Sequence, residues 1–475
     1  MKITLIQQND THGALELHNE LFWDSEGPIV KKVGGFSRIS TYIKNLREEN
    51  NYVLFFDGGD LFHGTLPLVN SKGNVMLPLL EKMGLDGFVP GNWDFAYGKK
   101  QLQHLTQNLP FPTIACNLKD QDTNDLFLKP YVVKELGGIK IGIIGLTYPF
   151  VDITMPQSFS EGLKFSTGVE EVRKNVEELK GKVDIIVLLS HMGLPLDVKL
   201  VSLVDGIDIV LSGHSHDRIT EPIVVNETHV VQAGSSSSFL GRLDITYEED
   251  KVTDVQYELI LVDEQFQEDE EVKAIVDSIL ELHKIEREKV VGETNTLLHR
   301  MTLEEAPMDK LITDAYLSTF ECDVAFSHGW RYATPMAVGP LSLYDLHTII
   351  PTNPELFTIK LDGKTLRNVL ENNLEQVFSA DPFGQKGGYI LRSSGLNMTF
   401  KPYNPKGYRI QSLQIAGENI DLSKEYKIVS AGGQLFKNFE EKKEYQNIKA
   451  VDAIQNYLDK TGPFEVNKGT SIISV

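Results

Sequence analysis

Over the first 262 residues, short apolar strands keep alternating with segments of helical period, and no other feature narrows the fold as much. Strands are read at 3–8, 53–57, 86–89, 112–115, 139–147, 183–190, 207–211 and 228–233. Helical-period segments at Phe36–Leu46, Val75–Met83 and Val169–Leu179 stand between several of them. This predicts an α/β layered domain over 1–262, a class that places functional residues on loops beyond strand ends. Residues 263–290 begin acidic and continue with helical period and few turn formers, which predicts a linker helix. From 291 to 475 the pattern changes to a helix near 308–320, a strand at 323–327, a helix near 363–376 and strands at 356–362, 389–400, 409–415 and 426–430. A separate α+β domain is expected there. The only low-complexity run, Ser235–Ser238, reads as a turn.

Five strands of the first domain end in potential ligands. The first runs into Asp10-Thr11-His12-Gly13, where an extended backbone would point residues i and i+2 to the same side and so converge a carboxylate with an imidazole. The second ends in Asp57-Gly58-Gly59-Asp60, whose glycines let the chain turn and project Asp60. Then follow Gly91-Asn92-Trp93-Asp94, Ser190-His191-Met192-Gly193 and Ser212-Gly213-His214-Ser215-His216. Taken singly, each motif reads more readily as a turn, a cap or a structural residue than as a ligand. Their joint occurrence, all at strand ends, points to one site.

Composition limits what that site holds. With only two cysteines, Cys116 and Cys322, the chain cannot build thiolate zinc clusters, iron–sulfur centres or a disulfide scaffold. The candidate set is two Asp (Asp10, Asp60), Asn92 and four His (His12, His191, His214, His216). Imidazole and oxygen without sulfur suit Mn²⁺, Fe²⁺ or Zn²⁺, with Mn²⁺ preferred, and seven side chains are enough for two ions. A formal charge of −21, from 46 Lys and Arg against 67 Asp and Glu, argues against nucleic acid or an anionic membrane as partner. No apolar run reaches the roughly 18–20 residues of a membrane span. The amino terminus lacks the pattern of a signal peptide, so a cytoplasmic location is expected.

The order D-x-H, G-D, G-N, H, G-H-x-H resembles the calcineurin-like metallophosphoesterases, and more narrowly the two-domain 5′-nucleotidase family over nearly the whole chain. The resemblance implies a four-layer metallophosphoesterase sandwich followed by a substrate-specificity domain. It also implies that Asp10, His12, Asp60 and His216 hold one metal and Asp60, Asn92, His191 and His214 the other, with Asp60 bridging. Water bridging two such ions is acidified and attacks phosphorus or sulfur in line. The resemblance thus implies ester hydrolysis of a small anionic substrate. The two ions make one local positive pocket in an acidic protein.

The sequence departs from the family where 5′-nucleotidases carry G-N-H-[ED]-x-D, whose His and second Asp serve the leaving group. Here the run is Gly91-Asn92-Trp93-Asp94-Phe95-Ala96. A thiolate, with a reference pKa of ~8.5, leaves without the help that an alkoxide needs. The SoxB-type thiosulfohydrolases share a tryptophan at this place, and Gly34-Gly35-Phe36-Ser37-Arg38, the run 127–131, Gly329-Trp330-Arg331 and the run 381–388 are similar to that subfamily. Its enzymes usually carry an export signal and tend to have His where Asn92 stands.

The candidate catalytic residues are Asp60, Asn92, His191 and His63, the last as a replacement acid three residues beyond Asp60 or else as a plain loop histidine. Asp57 and Asp94 are expected to orient ligand histidines. Trp93, Arg331 and Arg392 are candidate substrate contacts, the arginines because a guanidinium fork suits phosphate or sulfate oxygens. Where nucleotidases show G-G-D-G-[FY], the chain reads Gly432-Gly433-Gln434-Leu435-Phe436, so the base clamp is altered. Three functions remain: hydrolysis of a phosphomonoester or nucleotide, SoxB-like removal of sulfate from a thiol-sulfonate carrier, or metal-retaining binding without catalysis.

Overall fold

The computed structural model describes residues 1–466 and 471–475, and the chain divides into two units. The first comprises Met1–Glu20 and Lys32–Leu282, the second Leu21–Lys31 and His283–Val475. The stretch expected as one linker helix is two helices, Glu270–Glu281 and Lys284–Glu288, with the division falling between them.

Two sheets form the heart of the first unit. In one, Lys2–Gln8, Val53–Asp57 and Gly87–Phe88 run parallel, flanked by the antiparallel pair Phe239–Glu248 and Lys251–Leu261. In the other, Ile139–Leu146, Ile185–Ser190, Ile209–Ser212 and Thr228–Gln232 run parallel, with an antiparallel strand at each edge. Leu5, Leu54 and Phe56 of the first sheet share one buried core with Ile143, Val187, Leu189 and Leu211 of the second. The sheets therefore pack face to face. Helices cover both outer sides, Phe36–Glu49 against the first sheet and Val169–Leu179 against the second. The result is the expected four-layer sandwich. Strands buried on both faces explain the near-continuous apolar runs.

Two expected elements are cut short for local reasons. At 112–115 only single bridges form, Phe88 with Thr113 and Ile114 with Lys129. The helix expected at 75–83 breaks into a 3₁₀ turn, Asn74–Met76, and a helix, Leu77–Met83, because Pro78 has no N–H to give a preceding turn and fits the first turn of a new one.

The second unit is α+β. A five-stranded sheet is ordered Tyr389–Ser394, Val324–Gly329, Glu425–Ala431, Glu355–Asp362, Glu444–Lys449, and a four-stranded sheet contains Leu396–Phe400 and Ile410–Ile415. Phe326, Phe357, Leu366, Leu370 and Ile428 fill its core. The strand expected at 389–400 is split between the two sheets at Gly395. There φ is +86°, and a Cβ would sit 2.4 Å from the Asp323 carbonyl, so only glycine fits.

Candidate metal centre

All five ligand loops of the first unit follow the carboxyl ends of parallel strands. Register aligns Gln8 with Asp57, Asp57 with Phe88, and Leu189 with Leu211, so the loops leave the two sheets at one edge. The convergence of Asp10 with His12 has a different cause from the extended backbone expected above. Asp10, His12, Asp60, His214 and His216 all have φ between 47° and 71°. Five of the seven candidate ligands thus sit in the left-handed region, which Asp and His tolerate better than most residues and which recurs at functional sites.

Two groups of donors result. Asp10, His12 and His216 form one and Asp60, His191 and His214 the other, each with ligand atoms all within 4.8 Å of one another. Asp10 Oδ1 stands 3.2 Å from His216 Nε2, 3.8 Å from His191 Nε2 and 3.9 Å from His12 Nε2. Asp60 Oδ2 stands 3.4 Å from His191 Nε2 and 3.7 Å from His12 Nε2. Asn92 Oδ1 lies 2.8 Å from His214 Nδ1 and 3.3 Å from His191 Nε2. The two groups are one buried cluster.

Outer partners aim these donors. His191 Nδ1 donates to the Gly58 carbonyl at 2.5 Å and His12 Nδ1 to the His63 carbonyl at 3.3 Å, which turns both Nε2 lone pairs inward. Asp10 Oδ2 accepts from Asn9 Nδ2 and the His214 N–H, each at 2.8 Å, leaving Oδ1 to face the imidazoles. Asp60 Oδ1 likewise accepts the Trp93 N–H at 2.7 Å and leaves Oδ2 inward. Asn92 Nδ2 donates to Met155 sulfur at 3.7 Å, consistent with its oxygen facing the histidines. Two carboxylate oxygens facing a ring of imidazoles, with the far nitrogens of His12 and His191 and the far oxygens of Asp10 and Asp60 committed elsewhere, form a donor set that fits divalent cations.

The charges agree with this geometry. Burial alone would raise the Asp10 carboxyl, but His216, His191 and His12 hold it well below the usual range. Burial works against a charged His191, yet Asp60 and Asp10 outweigh it and lift its pKa to about 10. His12 is pushed down to about 4 by burial, against the pull of Asp60.

Other expected residues fall elsewhere. Among the described residues, Asp57 and Asp94 hydrogen-bond no histidine. Asp57 accepts Gln8 Nε2 and the Gly59 N–H, and burial raises it to about 8. Asp94 meets main-chain N–H groups instead. His63 is 2% exposed, and its ring stacks on Trp93 at 4.6 Å between centroids. Burial drives its pKa down to about 3. Trp93 is 5% exposed and also meets Phe159 edge-on, which makes it a wall of the centre.

Arg331 and Arg392 belong to the second unit. Arg331 is half-buried over the Tyr389 ring. Arg392 is not available as an anion contact. At 2% exposure, its guanidinium pairs with Asp309 at 3.3 Å and donates to the Thr302 and Leu303 carbonyls. Asp309 also takes Arg300 at 2.9 Å, so the cluster braces the core.

The strand-end rule, applied more widely, would have found three residues missed above. Gln232 ends Thr228–Gln232 and reaches Ser212, Gly213 and Ser215 of the histidine loop. Tyr148 follows Ile139–Leu146 and stacks on His214 at 4.2 Å. Asn9 follows the first strand.

Residues 3–218 match the family model described as calcineurin-like phosphoesterase, and residues 290–440 match that described as 5′-nucleotidase, C-terminal domain. The trifunctional nucleotide phosphoesterase protein YfkN of Bacillus subtilis (strain 168) is 25% identical over 510 residues, covering 95% of this chain. The chain spans only 33% of that relative's length. Among solved structures, the Thermus thermophilus sulfate thiohydrolase SoxB in complex with glycerol superposes with a TM-score of 0.92 at 22% identity, covering 100% of this chain and 96% of that one. A 5′-nucleotidase precursor from Thermus thermophilus gives 0.89 at 24% identity, with 100% and 99% covered. At these identities the likeness speaks for the fold alone. No helix among the described residues is long and apolar enough to cross a membrane.

Proposed function

The chain belongs to the two-domain family that joins a calcineurin-like phosphoesterase domain to a 5′-nucleotidase C-terminal domain, hydrolases acting on ester bonds, and from that premise we propose that it cleaves a phosphomonoester or nucleotide with two divalent metal ions. The observation that carries this reading is the single buried cluster of two carboxylates, one amide oxygen and four imidazoles. In it Asp10, His12 and His216 would hold one ion and Asn92, His191 and His214 the other, with Asp60 shared. Mn²⁺ suits a mixed nitrogen and oxygen set, and Fe²⁺ or Zn²⁺ would also fit. When bound, such ions supply Lewis acidity to ester oxygens and lower the pKa of water.

The chain's own residues do the rest. Gly58 and His63 carbonyls accept from Nδ1 of the His191 and His12 rings and so point each Nε2 into the cluster. Trp93, Phe159, Tyr148 and Met155 shield the cluster with apolar surface, which strengthens electrostatic interactions within it. Arg331 of the second unit remains the candidate anion contact.

One observation favours a second reading. The loop after Asn92 offers the leaving group no proton donor, because Trp93 takes the place of an imidazole and the Asp94 carboxylate is committed to main-chain N–H groups. A leaving group that departs unprotonated, such as a thiolate, fits that loop, as in SoxB-like cleavage of an S-sulfonate.

One assay separates the two. Protein loaded with Mn²⁺ is given p-nitrophenyl phosphate, a nucleotide panel and S-sulfocysteine. Faster turnover of a phosphate ester supports the first reading, and faster cleavage of S-sulfocysteine overturns it.

A further inference from the structure

Asp94 is 1% exposed, and its carboxylate takes four main-chain N–H groups from two loops. Oδ2 accepts from Asp60 at 2.8 Å and from Gly91 at 2.7 Å, and Oδ1 accepts from Leu61 at 2.9 Å and Phe62 at 2.8 Å. A single oxygen thereby ties the residue before Asn92 to Asp60 itself. The bond is returned from the other side, where the Trp93 N–H holds Asp60 Oδ1 at 2.7 Å. The spacing is tight: a Cβ on Gly91 would stand 2.2 Å from Asp60 Oδ1.

We infer that Asp94 is a positioning residue that sets the distance and orientation between Asp60 and Asn92. Three successive N–H groups, from Asp60 to Phe62, turn toward one anion because Asp60 lies at φ 57°. Both carboxyl oxygens of Asp94 accept from this concave array of N–H groups, and a non-glycine left-handed residue costs on the order of 1 kcal/mol unless its surroundings hold it. Asp94 provides the hold. Asparagine would not do so, because it offers one acceptor oxygen and brings two more N–H bonds toward four donors. The inference rests on the metal reading only for what Asp60 and Asn92 do, since the clasp itself involves no ion.

The test uses the full chain, wild type and Asp94→Asn. In metal-free wild type, hydrogen exchange followed by mass spectrometry finds the amides of residues 60–62 and 91 protected. In Asp94→Asn the same four lose protection together, by about tenfold or more. Titration of the metal-free proteins with Mn²⁺ then shows affinity weakened about 10–100-fold, the loss typical of outer partners of a metal site, with circular dichroism unchanged. Equal Mn²⁺ affinity in a folded Asp94→Asn protein overturns the inference, because a bond that only supports the fold would leave that affinity alone. If the variant does not fold, wild-type exchange decides: amides 60–62 exchanging at open-loop rates overturn it, and joint protection supports it. Wild type that binds no Mn²⁺ refutes the metal reading, while the exchange result still judges the clasp.

Discussion

Asp60 Oδ2 lies 3.4 Å from His191 Nε2 while the opposite oxygen of the same carboxylate is held by the Trp93 N–H. One oxygen is fixed by the main chain and the other faces the imidazoles of both donor groups. Both donor groups meet at this residue, because His12 Nε2 is also within 3.7 Å of it.

Asp60→Asn therefore lowers metal content from about two ions per chain to below one, because an amide oxygen is a far weaker bridge than a carboxylate. Activity falls by more than about 100-fold, since loss of even an outer partner costs about 10–100-fold. Elemental analysis of the purified variant measures the first effect. Unchanged metal content would sink the assignment of the seven side chains.

Metal binding strengthens as pH rises from 6 to 8. In the metal-free chain, Asp60 and Asp10 overcome the effect of burial and hold the His191 proton up to about pH 10, above the usual ~6.5. That stabilising contribution is complete below about 6.5 and is lost as pH climbs through about 10. A cation must displace the proton, so affinity gains up to about tenfold per pH unit in this window. Calorimetric titration with Mn²⁺ in buffers of different ionisation enthalpy reads the released proton directly. Affinity that falls with rising pH would contradict the account.

Trp93→His restores an imidazole beside Asn92. If the missing donor limits turnover of poor leaving groups, the variant hydrolyses nucleotides about 100-fold faster relative to p-nitrophenyl phosphate, the lower range of what general acids contribute. Both rates come from one enzyme batch. Because Trp93 stacks on His63, thermal melts run alongside to check that the wall survives. An unchanged ratio in a stable variant counts against the leaving-group argument.

The two arginines respond in opposite ways. Arg392→Ala leaves Asp309 with one of its two buried guanidinium partners, and removal of one partner of such a cluster costs about 3–5 kcal/mol. Its signature is a lower melting temperature of the second unit. Arg331→Ala, at a half-buried position, leaves that melt nearly unchanged and raises KM. A KM effect from Arg392→Ala without destabilisation would restore it as a substrate contact.

Much of the candidate site was legible because apolar strands ending in Asp, His and Asn are local patterns, and local patterns survive in a linear chain. The order of ligand motifs, the absence of sulfur and the change of pattern near residue 291 were all available there. Three-dimensional packing decided the rest. Whether Asp94 orients a histidine or gathers four main-chain N–H groups depends on how the 60–62 turn faces the 91–94 turn, about 30 residues away in the chain. Arg392 looked like an anion contact because sequence shows a charge but not its partner, and Asp309, 83 positions earlier, takes that charge inside the core. The left-handed backbone at Asp10, His12, Asp60, His214 and His216 was equally hidden. No propensity calls for it, and it persists only because neighbouring loops hold those residues in a conformation they would not keep alone.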